Sequence, residues 1–473
     1  MPDMEAEAKS PARYRHLGGL VAGMTIAFAA PVPGAAFAQQ VKLGSVGTKG
    51  DAGPVAATAP INGEPVSPKP ATGFGLTGDW GGLRTNLKDR GVDIDISFLG
   101  ELAGNIRGGE RHAVTQVMGY VLGTTIDMDK FAGVEGGKIQ LALSKRSGYN
   151  LMDKAGISML LQPQALYGRG QTYRLSELWY QQRFGTIASI KLGRVNMGED
   201  FATLPCDASS LALCGAQIGN LVGDYWFNSP VSQWGTVMRL TADDLSIMTG
   251  VYEYNPNNLD NGIALSHGGA KSVTVPVELG LRSHLGASRL PGLYRVGAWY
   301  SGARADDVLT GVDGRPFATS GLDPIRREGR YGGYLLMQQQ LTGRFVDDGN
   351  GPRTTHGLTA YLNFTQTDRR TTRLENQVGL WLSYIGILAN RPDDDFGLNM
   401  ARTHVNRRAS YSDLLASPDT PRAGSEYAME LYYGVHIRNW LILRPSVQYI
   451  VNPVGISSER DLVMPGLISS ITF

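Results

Sequence analysis

The chain has 473 residues, 42% of them hydrophobic, and its 44 Lys and Arg are balanced by 43 Asp and Glu. A mean hydropathy of −0.15 excludes a bundle of membrane helices, because beyond the N-terminus there is no apolar run of roughly 18 residues or more. The even charge balance offers no basic patch for nucleic acid, and 61 glycines suit many short elements joined by turns.

The first segment reads as an address. Lys9, Arg13 and Arg15 make a positive start, Leu17 to Ala30 is apolar, and Ala36-Phe37-Ala38 is a small-x-small cleavage site before Gln39. This pattern predicts a secretory signal peptide over 1–38. An N-terminal membrane anchor is the alternative, but the stretch is short and contains glycines. Export argues against a cytoplasmic enzyme. Residues 39–72, rich in Ala, Pro, Gly and Val, are expected to form a flexible periplasmic leader. Residues 73–473 then form the folded part. Within its first stretch Trp80, Leu83 and Leu87 recur at helical spacing, and Asp79 is placed to cap a short helix.

From Val92 the period changes to two. Across Asp93 to Arg107 the even positions are mostly apolar and the odd ones polar or small, a run far longer than the usual globular strand. A tilted strand needs about 9–11 residues to cross a bilayer. Similar segments follow at 118–128, 138–144, 277–284, 294–300, 358–364 and 378–384, with less regular ones at 173–182, 187–194, 236–240, 245–254 and 331–340. Near the end, Tyr427, Met429, Leu431, Tyr433, Val435 and Ile437 share one face, opposite Glu426, Glu430, His436 and Arg438. Leu441, Leu443, Pro445, Val447, Tyr449 and Val451 face away from Arg444, Ser446, Gln448 and Asn452, and the segment Leu462 to Phe473 closes the chain. Polar stretches at 301–330 and 389–424 read as long loops. Short turns alternating with long loops mark a transmembrane antiparallel β-barrel, all-β, of the outer-membrane kind. The short helix at Trp80–Leu87 is expected under or inside its mouth.

Residues with chemistry do not assemble into an enzyme. The seven histidines are scattered, and neither a His-Glu-x-x-His metal motif nor a Gly-x-Ser-x-Gly elbow occurs. Glu426 and Glu430 lie on one strand face with α-carbons about 13–14 Å apart, too far for a concerted acid–base pair. No cofactor or metal is implied. A water-filled lumen lined by polar and charged groups accounts for such residues more simply, and the lumen candidates for solute contact are Glu101, Asn105, Arg107, Glu177, Arg194, Glu430, Arg444 and Gln448. Carboxylates and guanidiniums in opposed arrays supply hydrogen bonds to sugar hydroxyls. Cys206 and Cys214 match no persuasive zinc spacing; in an oxidising compartment they can close one short loop by a disulfide, the alternative being two free thiols. Their segment, Asp200 to Asn220, is a candidate constriction loop. Tyr225, Trp226 and Trp234 after it read as a membrane girdle rather than a lining.

Several segments resemble the OprB-type carbohydrate-selective porins. They are Leu76-Thr77-Gly78-Asp79-Trp80-Gly81-Gly82-Leu83-Arg84 with Gly91, Ser176-Glu177-Leu178-Trp179-Tyr180, Lys191-Leu192-Gly193-Arg194, Glu426-Tyr427 to Tyr433, and Leu443 to Ile450 with Asn452-Pro453. The likeness runs over roughly 73–473. It implies a 16-stranded barrel in the bacterial outer membrane, an N-terminal periplasmic helix, passive diffusion of monosaccharides such as glucose, and either a monomer or a homotrimer surrounded by outer-membrane lipid. The extended leader and long loops depart from the pattern and leave open a general-diffusion porin without sugar preference. An outer-membrane barrel enzyme and a soluble periplasmic lectin are the readings from other classes.

Overall fold

The computed structural model describes residues 74–473 except 261, 264, 287 and 348–351, and of 344–347 and 352–355 only the backbone. The expected signal peptide and leader lie outside the described residues. Sixteen strands make the barrel. β1 is Val92–Gly104, β2 Val114–Asp127, β3 Gly137–Gly148, β4 Tyr173–Phe184 and β5 Ala188–Val195. β6 is Gln233–Ala242, β7 Leu245–Tyr254, β8 Ser272–Leu285, β9 Leu290–Ser301 and β10 Arg330–Gln340. β11 is Pro352–Thr367, β12 Leu374–Ile385, β13 Asp395–Val405, β14 Ser425–Arg438, β15 Leu441–Val451 and β16 Leu462–Thr472. Each pairs antiparallel with the next, and β1 also pairs with β16, Ser97 opposite Thr472 and Ala103 opposite Gly466, so the sheet closes on itself. Closure removes every free edge, the condition for placing a sheet in hydrocarbon.

The alternation read from the sequence is realised with its polar side inward. On β14, Glu430 is 0% exposed and Leu431 40%; on β15, Gln448 is 1% exposed and Val447 39%. Leaving that many leucines and valines in water would cost about 25 cal/mol per Å² of apolar surface, so the outer face is built for lipid. The connections at one end are short, as at 185–187, 243–244 and 439–440, and those at the other reach 149–172, 196–232 and 302–329. By this asymmetry the short-turn end, which also carries residue 74 and Phe473, is periplasmic.

One expectation is corrected here. The stretch 389–424 is not one loop. It contains β13, whose outer positions are Phe396, Leu398, Met400, Arg402 and His404. Three aspartates at one end and Arg402 and His404 at the other masked an alternation of normal length. The expected short helix forms at the periplasmic end. A short α-helix, α1, runs Leu83–Asp89 after a 3₁₀ turn Trp80–Gly82, and Asp79 holds its first turn by accepting from the N–H and hydroxyl of Thr85, both at 2.9 Å. Of the apolar stripe, Leu83 is 54% exposed while Trp80 and Leu87 are half-buried. Arg84 ties the helix to the barrel: its guanidinium donates to the carbonyls of Phe473 (2.7 Å) and Ile94 (2.9 Å), straddling the β1–β16 seam.

Candidate functional site

A barrel of 16 strands is wide enough to leave an open aqueous channel. Here two of the long connections fold into it. The larger, 196–232, leaves β5 and returns to β6, yet its middle reaches strands on the other side of the ring. Trp381 of β12 donates to the carbonyl of Leu213 (2.8 Å) and Gln377 to that of Ala212 (3.2 Å). Glu430 of β14 accepts from the backbone N–H groups of Ser209 and Ser210 (3.0 Å each) and from the Ser209 hydroxyl (2.9 Å). Arg444 of β15 pairs with Asp207 at 3.2 Å and with Asp395 of β13 at 3.3 Å. Nearer its root, Tyr252 of β7 donates to Asp200 (3.0 Å), and Glu278 of β8 accepts from Ala202 N–H (3.1 Å). The second loop, 149–172, is tied to the first by backbone hydrogen bonds from Ala165 to Ser209 (2.7 Å) and from Leu211 to Gln162 (2.9 Å). It is held to the wall by Glu426, which accepts from Leu160 N–H at 2.8 Å, and by Glu101, which accepts from Leu166 N–H at 3.1 Å.

Cys206 and Cys214 are bonded to each other within the larger loop. Beside that bond, between the loop and the β1–β3 wall, lies a cavity. Its polar lining comes from Glu101, Arg146, Asn196, Asn220, Asn228 and Ser229, and its apolar lining from Leu99, Leu166, Leu211, Ala216 and the disulfide. Four buried polar atoms of these side chains have no hydrogen-bond partner in the protein: Nε of Arg146, Nδ2 of Asn196, Oδ1 of Asn228 and Oγ of Ser229. A buried donor or acceptor left unpaired costs about 1–3 kcal/mol. A carboxylate, a guanidinium, amides and a hydroxyl facing an apolar wall form a surface that matches a molecule with hydroxyls on its rim and C–H groups on its face.

The residues singled out from the sequence fall into different places. Glu101 is at the cavity. Glu430, Arg444 and Gln448 line the lumen wall but are occupied by the loops; Gln448 donates to the carbonyl of Pro163 (2.9 Å) and to the hydroxyl of Ser209 (3.0 Å). Glu177 is 1% exposed on β4, with Oε1 unpartnered. Asn105 and Arg107 lie beyond the end of β1. Asn105 folds its own loop through Gly108, Arg111 and Ala113, and Arg107 is exposed. Arg194 falls in step with outward-facing Leu192 and is covered by Ser232 and Asn258 (2.7 and 3.4 Å) rather than by the channel.

The girdle reading of Tyr225 and Trp226 is corrected as well. Both are 0% exposed inside the barrel. The Tyr225 hydroxyl accepts from Trp299 (2.9 Å), and Arg330 stacks on its ring at 4.2 Å.

Sequence reasoning missed Arg146 by one step. It occupies the next inward position after Ser144 on β3, where the alternation was read as ending. The asparagines of the loop carry no periodic signal and had no such route to discovery.

The model of the carbohydrate-selective porin family OprB matches residues 113–473. Porin B of Pseudomonas aeruginosa is 38% identical over 413 residues, covering 83% of this chain and 90% of its own length. The putative porin QuiX of Acinetobacter baylyi is 32% identical over 426 residues, covering 84% of this chain and 93% of its own length. Among solved structures, the high-pH form of Pseudomonas putida OprB superposes with a TM-score of 0.80 at 36% identity, covering 85% of this chain and 99% of the other. The closed 16-stranded barrel, its inward-folded loops and these relatives together place the chain, as a non-enzymatic channel of the outer membrane, in the OprB family of carbohydrate-selective porins.

Proposed function

We propose that this porin passes single sugars of monosaccharide size by diffusion, and that the cavity between the β1–β3 wall and the 196–232 loop is the eyelet at which they are read. The observation that carries the reading is the two-sided lining. Glu101 and Arg146 offer an acceptor and a donor to ring hydroxyls, the amides of Asn196 and Asn228 add unpartnered polar atoms, and Leu99, Leu166 and the disulfide present an apolar face. A pyranose has this same division, hydroxyls at its edge and C–H bonds on its face. A charged amino acid of equal size lacks it and loses more hydration on entry.

Of the residues picked from the sequence, Glu101 keeps the role of solute contact in this proposal, Glu430, Arg444 and Gln448 hold the loops, and Glu177 stands ready in the wall. The channel lies within one closed chain, so each barrel conducts by itself, whether it stands alone or in a trimer, and the apolar outer band is in contact with outer-membrane lipid.

The test is liposome swelling with refolded protein, comparing glucose, a disaccharide, a polyol and an amino acid matched in size to glucose. Glucose is expected to enter fastest. In Arg146→Ala and Glu101→Ala the ratio of glucose to amino acid falls toward one. Equal entry of all solutes into wild-type liposomes would leave a general porin and remove the selectivity claim. An unchanged ratio in both variants would move the filter elsewhere.

A further inference from the structure

We infer that Glu430 is a positioning residue that sets the size limit of the channel from the wall opposite the eyelet loop's root. The inference rests on the eyelet reading above and goes beyond it. The 196–232 loop crosses a lumen that 16 strands by themselves would leave open. A loop that crosses a lumen needs a far anchor, or its tip swings back against the strands it came from. The loop springs from β5 and β6, whereas Glu430 sits on β14, nine strands from β5 in a ring of 16 and so close to diametrically opposite.

The chemistry of the contact fits an anchor better than a filler. Glu430 is 0% exposed, and its two carboxylate oxygens receive three converging donors, all from Ser209 and Ser210. A buried carboxylate held by neutral donors is a poor way to gain stability, since an apolar residue would avoid its desolvation. It is a good way to fix direction, because each oxygen accepts only along its lone pairs. Arg444 adds a second tie one strand further on, to Asp207, two residues before Ser209. Together the two contacts pin 207–210 against the far wall while the disulfide from Cys206 to Cys214 keeps that tip compact.

The experiment uses the full chain in planar bilayers and in liposomes. Single-channel conductance is measured together with swelling rates for a monosaccharide, a disaccharide and a trisaccharide, in wild type, Glu430→Ala and Glu430→Gln. The second variant keeps the side chain's size in the barrel wall but turns one accepting oxygen into an N–H donor facing the serine donors, so it carries the test if Glu430→Ala does not assemble. Heat-modifiable gel mobility selects closed barrels before either assay.

Release of the tip is expected to raise conductance at least twofold and to raise disaccharide entry relative to monosaccharide at least fivefold. A merely structural role would lower barrel stability and leave both readouts where they are. Unchanged conductance and unchanged size ratio in closed barrels of either variant overturn the inference. If wild type already passes the two sugars alike, the sugar-size reading of the eyelet fails, and the conductance of the variants still decides whether Glu430 holds the constriction.

Discussion

At the periplasmic end one guanidinium clasps the seam between β1 and β16. Arg84 is 8% exposed and donates one hydrogen bond across each side of the barrel seam, to Phe473 at 2.7 Å and to Ile94 at 2.9 Å. A hydrogen bond involving a charged group contributes about 1.5–3 kcal/mol. Two of them would total about 3–6 kcal/mol if the acceptors stayed dry, but they lie at the barrel rim, where water replaces part of the loss. Arg84→Ala is therefore expected to lower the unfolding free energy by about 2–4 kcal/mol.

Arg84→Lys has a single ammonium that satisfies one acceptor well, so about half that loss is expected. The neighbour Leu83, on the same helix but 54% exposed, serves as the contrast: Leu83→Ala should change stability by less than about 0.5 kcal/mol. The assay is reversible urea unfolding of barrels refolded in detergent micelles, followed by tryptophan fluorescence, with the slope against urea unchanged between variants. Arg84→Ala behaving like Leu83→Ala would refute the argument that α1 is docked through this guanidinium and that it helps close the seam.

Other predictions concern the lipid face, the disulfide and the outer loops. Leu431 points outward near the middle of β14, so Leu431→Arg should cost about 2–4 kcal/mol in bilayer refolding equilibria; a neutral result would mean that the inside–outside parity of β14 is wrong. Reducing the Cys206–Cys214 bond, eight residues apart, should release roughly 2.5 kcal/mol of chain-entropy restraint. The effect should be confined to the eyelet loop, so current noise should rise in single-channel records while heat-modifiable mobility stays intact; quiet channels after reduction would count against it.

The outer hairpin formed by Ala305–Gly311 and Pro324–Arg327 is tied to the helix Arg407–Ala416 through Asp307. Burial pushes the Asp307 carboxyl up, but the N–H groups of Thr310 and Leu309 and the guanidiniums of Arg408 and Arg327 outweigh it and hold it at about 2. Because the folded value lies below the ordinary 3.8, this contact stabilises the hairpin fully above that value, and the contribution is lost as pH falls from about 4 to about 2. Pepsin cleavage within 302–329, normalised to a denatured chain, should therefore rise between pH 4 and pH 2, and Asp307→Asn should abolish the difference.

The sequence by itself determined the barrel and most of its strands. A side-chain period of two is a local property, and a sheet solvated by lipid outside and water inside writes it plainly, as in Tyr427 through Ile437 against Glu426 through Arg438. Where local charge interrupted that pattern, at the aspartates before Phe396 and at Arg402 and His404, the strand was read as loop although the period persisted beneath. Glu430, Arg444 and Gln448 were legible as lumen residues from their parity alone.

What each of them does was not legible, because it depends on which loop arrives beside it. Glu430 meets Ser209 across 221 residues of chain, and Gln448 meets Pro163 across 285. Such contacts leave no periodicity in either partner. The same holds for Tyr225 and Trp226, whose aromatic character suits a lipid girdle as well as a packed interior. Only the inward fold of the 196–232 loop decides between the two, since both environments are apolar and differ solely in which side of the barrel wall they occupy.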